Sequence, residues 1–150
     1  MRDPEDFEEF LAVAQPRLRR GFIAARGIDG AADAVAEAMA WAWEHREEVR
    51  QMTNPVGYLY RVGLSKTRGR AAPSLPPPEQ LGLPDIEPML IPALLQLSTR
   101  QRTAVWLVHG CGWRYREAAE AMGLSPSAVG THVSRALEHL RSRFEVYDGA

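Results

Sequence analysis

Two groups of side chains in this sequence are of the types that bind nucleic acids. The first group lies at the start of a predicted helix, and its members are Ser125, Ser127, Ala128, Thr131, His132 and Arg135. Short or polar side chains near a helix N-terminus let the helix approach base edges in a major groove. The second group lies nearer the chain N-terminus, and its members are Asn54, Tyr58, Arg61, Ser65, Lys66, Arg68 and Arg70. Its cations can hold phosphates, and its tyrosine ring can stack on an unpaired base.

The second group has an alternative interpretation that involves no ligand. Lysine and arginine near the C-terminal end of a helix are stabilised by the helix dipole while they remain solvated. For Tyr58, packing in the core is favoured over base stacking.

The sequence contains no set of residues suited to catalysis. Its acids and histidines occur singly on predicted helix surfaces, without an activated nucleophile or a glycine-rich phosphate loop. Cys111 is the single cysteine, and with His109 it does not complete a metal-ligand spacing. We therefore predict a protein that is not an enzyme and holds neither a metal nor a cofactor.

The first group belongs to a predicted helix-turn-helix that runs from Tyr115 to Leu140. The first helix ends at Gly123, which can adopt a left-handed conformation. Ser125 is the predicted N-cap of the second helix, with Pro126 at its first position. The apolar stripe of the second helix comprises Val129, Val133, Ala136, Leu137 and Leu140. An ordinary helical hairpin is the alternative, but the short turn favours a DNA-binding motif.

The N-terminal part predicts three helices. Apolar spacing indicates a helix from Pro4 to Arg26 that ends near Gly27, and a second over 32–48. The second helix has an inner stripe of Val35, Met39, Ala42, Trp43 and Val49. Trp41 lies outside that stripe, where it either covers the surface or anchors a protein partner. Asn54 and Pro55 begin a third helix, which extends to Lys66 or Arg70.

A composition change separates this part from the rest. Residues 71–88 contain six prolines, which predicts a stiff linker. A short apolar helix at 89–97 follows, and Ser98 with Gln101 forms a capping box for a helix to about His109. We predict an all-α protein with two small helical domains, 1–70 and 89–150, joined by the linker.

The single cysteine and the lack of targeting signals predict a protein of the cytoplasm, and the charge bears on nucleic-acid binding. The formal net charge is -1, lower than most DNA-binding domains carry, but residues 61–70 hold four cations and no acid. A local basic patch is therefore compatible with a protein whose overall charge is close to zero. The sequence shows no leader, membrane span or lipidation signal, so we expect no membrane association.

The order of these parts resembles the extracytoplasmic-function group of RNA polymerase sigma factors, within the sigma-70 family. Residues 97–141, LSTRQRTAVWLVHGCGWRYREAAEAMGLSPSAVGTHVSRALEHLR, look like region 4, which reads the promoter's -35 element. Residues 54–70, NPVGYLYRVGLSKTRGR, are similar to the NPxxWLYRIAxN segment of region 2. Residues 32–48 resemble the acidic helix that docks on the polymerase clamp.

The resemblance implies a non-catalytic factor with two partners, core RNA polymerase and promoter DNA. Core polymerase would be held through Asp33, Glu37, Trp41 and Glu44. The 54–70 segment would contact the -10 element. The helix from 126 to 141 would contact the -35 element, with Arg114 and Arg116 on the DNA backbone. A linker of residues 71–88 reaches about 55 Å at about 3.1 Å per residue, similar to a spacer of about 16 base pairs.

Departures from the family pattern leave two other functions open. Gly130 and His132 replace charged residues of the recognition helix, Ser65 replaces an asparagine, and the clamp-docking segment lacks a glutamine. These losses favour a sigma-like adaptor or co-regulator without independent promoter recognition. A stand-alone helix-turn-helix regulator is the third alternative, although the N-terminal helices and the linker argue against it. The resemblance also leaves open an anti-sigma factor or a co-regulator as a further partner.

Overall fold

The computed structural model describes residues 4–69 and 90–148, and within them every regular element is a helix. The helices are α1 (Pro4–Glu44), α2 (Arg46–Arg50), α3 (Pro55–Lys66), α4 (Leu90–Leu95), α5 (Thr99–Val105), α6 (Tyr115–Met122) and α7 (Pro126–Asp148). A single π-helical turn, Trp106–Gly110, continues α5. The all-α prediction is confirmed. The predicted linker, 71–88, and Arg70 lie outside the described residues. None of the helices in the described part combines the length and apolarity needed to cross a membrane.

Helix α1 is two helical segments that meet at Gly27. Gly27 has φ 73° and ψ -180°, a conformation that residues with a Cβ atom rarely adopt. The predicted end of the first helix is thus confirmed, although the chain resumes its helical course at once. Before the break, Phe7, Ala14, Leu18 and Phe22 are buried along one face. Pro16 lies inside this segment without interrupting it.

The segment of α1 after Gly27 places Trp43 differently from the sequence prediction. Ala34, Val35, Ala38 and Ala42 form its buried face. Trp43, which the apolar spacing predicts in this stripe, is 45% exposed; the Phe7 ring is tilted against it at 6.0 Å, and the Arg46 guanidinium lies 5.0 Å from its centre. The alanines let α1 lie close to its neighbours, which leaves no room for an indole on the same face.

The second half begins with α4 and α5. Ser98 forms the predicted capping box, since its hydroxyl accepts the Gln101 backbone N–H at 3.2 Å and the Gln101 side chain accepts the Ser98 backbone N–H at 3.3 Å. The left-handed Gly123, with φ 66°, ends α6 as predicted. The inner stripe of α7 is confirmed, with Val129, Val133 and Ala136 buried.

The two halves of the chain share one apolar core. Residues of α1 and α3, such as Phe22, Leu59 and Tyr60, belong to the same buried cluster as Leu107 and Trp113 of the second half. Trp113 meets the Tyr60 ring edge-on, with 5.5 Å between centroids. Trp106 donates its indole N–H to the Arg20 carbonyl at 3.0 Å. The halves therefore pack directly against one another, with α3 lying on α6.

Candidate nucleic-acid interface

A groove of about 570 Å³ on the first half collects most of the residues predicted to bind the -10 element. Its lining includes Tyr58, Arg61, Ser65, Lys66 and Arg68, all from α3 or the turn that follows it. Residues 58, 61 and 65 are three or four apart, which places them on one face of a helix. Arg61, Ser65, Lys66 and Arg68 are exposed. The groove is thus a cationic surface open to solvent.

The floor of this groove is aromatic. Tyr58 is half-buried and lies 5.4 Å from the Trp41 ring, which is itself stacked on His45 at 4.1 Å. The Arg61 guanidinium stands 5.7 Å from the centre of the Tyr58 ring. Tyr58 is therefore neither fully in the core nor free in solvent. Rings held in this way beside cations can receive an unstacked base.

Arg26 lines the same groove and was not predicted from the sequence. Its guanidinium donates to the Leu64 carbonyl at 3.0 Å and to the Thr67 hydroxyl at 3.2 Å, and Thr67 is fully buried. Thr67 in turn donates to the Gly63 carbonyl. These bonds fix the C-terminal end of α3, from which Lys66 and Arg68 project. Arg26 is 38 residues from Leu64 along the chain, so no local pattern pointed to the contact.

One described member of the predicted set, Asn54, lies outside this groove. Asn54 occupies the N-cap position of α3, but its side chain makes no capping hydrogen bond. It lies at the opposite end of α3 from Lys66, outside the groove lining. Arg70 falls outside the described residues.

The helix-turn-helix presents a second, wider groove along the first turns of α7. Its lining comprises Tyr115, Pro126, Ser127, Gly130, Thr131, Ser134 and Arg135. Three residues of the predicted DNA-binding set, Ser127, Thr131 and Arg135, are brought together here and are exposed. Tyr115 was missed as a member of this surface, although it is 41% exposed.

Gly130 has a structural role that its sequence position did not reveal. A Cβ atom added there would meet only the Tyr115 ring, at 3.8 Å. The missing side chain therefore leaves the groove between α6 and α7 open beside the tyrosine. Ala128 and His132 are half-buried and flank this surface.

Ser125 and Thr131 already have partners within the protein. Ser125 is the N-cap of α7, since its hydroxyl accepts the Ala128 backbone N–H at 3.1 Å, which confirms the predicted cap. Thr131 donates its hydroxyl proton to the Ser127 carbonyl at 3.2 Å. Both oxygen atoms keep a lone pair for a further donor.

The start of α6 is organised by Glu117. Its carboxylate accepts the Arg114 backbone N–H at 3.1 Å and also receives two hydrogen bonds from the Arg17 guanidinium, at 2.7 Å and 3.0 Å. Burial raises the pKa of the Glu117 carboxyl, but the hydrogen bonds from Arg17 and Arg114 outweigh it and hold the pKa below its ordinary value. Arg114 and Arg116 remain exposed beside it.

The four residues predicted to hold the polymerase are spaced four, four and three residues apart along α1, which places them on one side of the helix. Asp33 and Glu44 are exposed, and Glu37 is half-buried. Trp41 also lines the groove beside Tyr58. In the described part of the chain, no cluster of three or more histidine, cysteine, aspartate or glutamate residues could hold a metal ion.

Helix α6 contributes residues to both grooves, Ala121 to the first and Tyr115 to the second. Ala121 of α6 forms part of the wall of the first groove, and the Glu120 carboxylate lies 3.6 Å from the Arg61 guanidinium. Both charges are substantially exposed, so this ion pair contributes little to stability. The pair matters for local charge, because a carboxylate of the second half faces an arginine of the first half.

Comparisons with known proteins agree with this architecture. The sequence profile of the family described as "Sigma-70, region 4" matches residues 89–140. Among curated proteins, none matches this sequence.

Two solved structures share the fold. The sigma factor RpoE of Bartonella quintana, in complex with the anti-sigma factor NepR, is 26% identical, with a TM-score of 0.70 over 95% of this chain and 98% of that one. CnrH, in complex with the cytosolic domain of CnrY, is 23% identical, with a TM-score of 0.65 over 97% of this chain and 91% of that one. Because both alignments span both halves of the chain, they match the way the halves are arranged as well as each half.

Proposed function

We propose that the chain is a sigma factor of the extracytoplasmic-function group of the sigma-70 family, and that its two grooves serve transcription initiation. As a sigma factor it binds core RNA polymerase and directs initiation to specific promoters. The observation that supports this function best is that a region-4 helix-turn-helix shares one chain with a cationic groove lined by aromatic rings.

The first groove holds the -10 element as a single strand. Arg61, Lys66 and Arg68 neutralise phosphates, while Tyr58 and Trp41 offer ring faces to an unstacked base. Removing a base from its stack costs a few kcal/mol, and stacking with charge neutralisation offsets that cost. Arg26 keeps the end of α3 in place for these contacts.

The second groove contacts the -35 element. Ser127, Thr131 and Arg135 face the bases and phosphates from the first turns of α7, and Arg114 and Arg116 hold the DNA backbone at the start of α6. Ser125, Ala128 and His132 complete the contact. The open space at Gly130 lets α7 approach closely, with Tyr115 beside it. Few cations line the second groove, so its own affinity for DNA is weak. Binding at the -35 element therefore depends on the polymerase bringing the protein to the promoter.

Core polymerase binds through the exposed acids of α1. Asp33 and Glu44 are free to meet a basic surface, and Glu37 lies between them on the same helix. Trp41 contributes through the groove that it shares with Tyr58. An anti-sigma factor is the class of partner expected to hold the chain inactive, as NepR binds the similar RpoE.

We assign the proposed binding functions to consecutive parts of the chain. Residues 1–70 bind polymerase and the -10 element, residues 71–88 connect the halves, and residues 89–150 bind the -35 element. The protein itself catalyses no reaction and works in the cytoplasm, where the polymerase is.

Reconstituted transcription tests the proposed function. The purified chain is mixed with core RNA polymerase and genomic DNA fragments, and run-off transcripts are sequenced. We expect transcripts that start at a defined set of sites and depend on the chain. If the chain binds core polymerase but yields no such transcripts, the adaptor function is supported instead. If it binds DNA without core polymerase, the stand-alone regulator is supported.

Arg68→Ala tests the phosphate role of the first groove. Loss of one phosphate contact should lower open-complex formation severalfold and reduce the slope of log affinity against log salt by about 1. Arg19→Ala, an exposed arginine of α1 outside the groove lining, is the matched control. If both variants form open complexes equally well and show the same salt dependence, Arg68 does not contact DNA. Arg61→Ala should also weaken opening, but it releases Glu120 at the same time and is harder to interpret.

A further inference from the structure

Besides the two grooves, a cavity of about 450 Å³ lies between the halves of the chain. Its walls come from α1, α3, α5 and α6, so both halves contribute to it. The polar residues that line it are Arg26, Tyr60, Thr99, Arg100, Arg102 and Thr103, and its apolar part includes Leu64 and Met122. Volumes of about 300–1,000 Å³ are typical of small-molecule sites, which often lie where two parts of a protein meet. We call this space the arginine cavity.

The three arginines of the arginine cavity have no acid to neutralise them. None of the described residues that line the cavity is acidic, and within the described part of the chain Arg26, Arg100 and Arg102 form no ion pair. Arg26 and Arg102 are half-buried, so solvent screens their charges less than those of ordinary surface arginines. Like charges around one cavity repel each other, and an anion between them relieves that repulsion. The charge of the cavity therefore favours an anionic occupant.

Arg26 is held in a fixed position beside the cavity. Its guanidinium donates to the carbonyl oxygens of Leu64 and Ala25, at 3.0 Å and 3.3 Å, and to the Thr67 hydroxyl at 3.2 Å. All three acceptors are neutral, so these bonds orient the guanidinium without cancelling its charge. An arginine has five N–H donors, and donors therefore remain for an anion. A cation that is already ordered loses little conformational entropy when a ligand binds.

Tyr60 is the most buried of the polar residues that line the cavity, with 2% of its surface exposed. Its ring is fixed by stacking on Phe22 at 4.8 Å and by an edge-on contact with Trp113 at 5.5 Å. Its hydroxyl has no hydrogen-bond partner among the described residues, although most buried polar groups have one. Burial raises the pKa of Tyr60 above its ordinary value, so the hydroxyl keeps its proton and can donate it. The hydroxyl is thus a second indication, independent of the arginines, that the cavity binds a hydrogen-bond acceptor.

From these observations we propose that the arginine cavity binds a small molecule that combines a terminal diphosphate with an apolar or planar portion, as a nucleoside diphosphate does. The phosphate oxygens accept hydrogen bonds from Arg26, Arg102 and the Tyr60 hydroxyl, because guanidinium groups match phosphate oxygens with paired donors. The apolar portion packs on Leu64 and Met122. The site belongs to the free chain, so it does not rest on the proposed function in transcription.

The depth of Tyr60 favours a small molecule over a DNA strand as the source of the phosphate. Arg26, Leu64 and Ala121 line both the arginine cavity and the first groove, so the two spaces adjoin. A phosphate within a strand carries a sugar on each side, which keeps its oxygens away from a side chain that is 2% exposed. A terminal phosphate has no such obstruction and reaches the hydroxyl.

Calorimetric titration of the free full-length chain with ADP and with GDP tests the proposal. We expect one nucleotide per chain, with a dissociation constant of about 0.1 mM or tighter for at least one of the two. Arg102→Gln should weaken that binding about tenfold or more, because it removes a charge-assisted contact. Arg19→Gln, at an exposed arginine of α1 outside the cavity lining, is the matched control and should leave the affinity unchanged. If neither nucleotide binds, or if both variants bind equally well, the proposal is wrong.

Tyr60→Phe separates a ligand-binding role of the hydroxyl from a structural one. Phenylalanine keeps the ring and its packing on Phe22 and Trp113 and removes only the oxygen. Because the hydroxyl has no partner among the described residues, we expect the thermal denaturation midpoint without nucleotide to stay unchanged or to rise. Nucleotide affinity should fall about threefold or more. A lower midpoint without nucleotide, or an unchanged affinity, would contradict the role assigned to the hydroxyl.

Further titrants identify which molecule supplies the phosphate. Inorganic pyrophosphate should bind more weakly than the nucleoside diphosphate, since it lacks the apolar portion, and adenosine should bind more weakly still. A single-stranded oligonucleotide of about ten nucleotides should bind the wild type and Arg102→Gln equally well. If Arg102→Gln weakens binding of the oligonucleotide and not of the nucleotides, the cavity contacts a DNA strand and the small-molecule proposal is overturned. Circular dichroism checks that each variant keeps the helix content of the wild type.

Discussion

At the scale of single residues, the most informative side chain is Glu117. It accepts from the Arg114 backbone at the start of its own helix and from Arg17 of the opposite half. One carboxylate thus caps the start of α6 and joins the two halves of the chain. The first contact follows from a common capping pattern, while the second needs α1 to lie beside α6.

The lowered pKa of Glu117 predicts a defined pH dependence of stability. A carboxyl whose pKa is lower in the folded state contributes stability above its ordinary value, here 4.5, and loses that contribution as pH falls through the folded value. Glu117→Gln should therefore cost about 1–2 kcal/mol in free energy of unfolding at pH 7. Urea titrations should show the gap in free energy of unfolding between wild type and variant closing as the pH falls below 4.5. A gap of constant size would mean that the Arg17 pair adds nothing.

At the scale of elements, the helix ends follow local rules. Ser98 with Gln101, Gly123 and Ser125 all end or begin helices where the sequence predicted. Each signal involves residues at most a few positions apart, so it operates before any tertiary contact forms. Asn54 shows the limit of the rule, because it takes the N-cap position without making the capping bond.

The cap of α7 gives a prediction at this scale. Ser125→Ala removes the acceptor for the Ala128 N–H and should lower the free energy of unfolding by about 1 kcal/mol. Ser142→Ala, at an exposed position of the same helix, should change it by less than about 0.5 kcal/mol. Denaturation of both variants under the same conditions measures the difference. Equal values would show that the α7 terminus is held by packing alone.

At the scale of the whole molecule, the shared core predicts cooperative unfolding. Tyr60, Trp113 and Leu107 bury apolar surface between the halves, so neither half can unfold without exposing the other. We expect a single calorimetric transition for the wild type. Trp113→Ala should cost about 3–5 kcal/mol and split the transition into two as the halves uncouple. Two transitions already present in the wild type would mean that the halves fold independently.

The sequence alone determined the helix content, most helix boundaries and the helix-turn-helix with its exposed side chains. These depend on periodicity, caps and turn residues, whose physical causes lie within a few positions of one another. It also brought Tyr58, Arg61, Ser65, Lys66 and Arg68 into one group that the structure places around one groove, because they lie close together in α3 and the turn that follows it.

Only the tertiary structure decided how the halves meet. It shows Trp43 at the surface, Trp41 beside Tyr58, and Gly21 and Gly57 packed closely against residues of the second half. These outcomes depend on which helix faces which, and the contacting residues are far apart in sequence: 17 positions separate Trp41 from Tyr58, and 100 separate Arg17 from Glu117. No local periodicity carries that information, since a glycine that permits a close approach looks the same in sequence as one that merely weakens a helix.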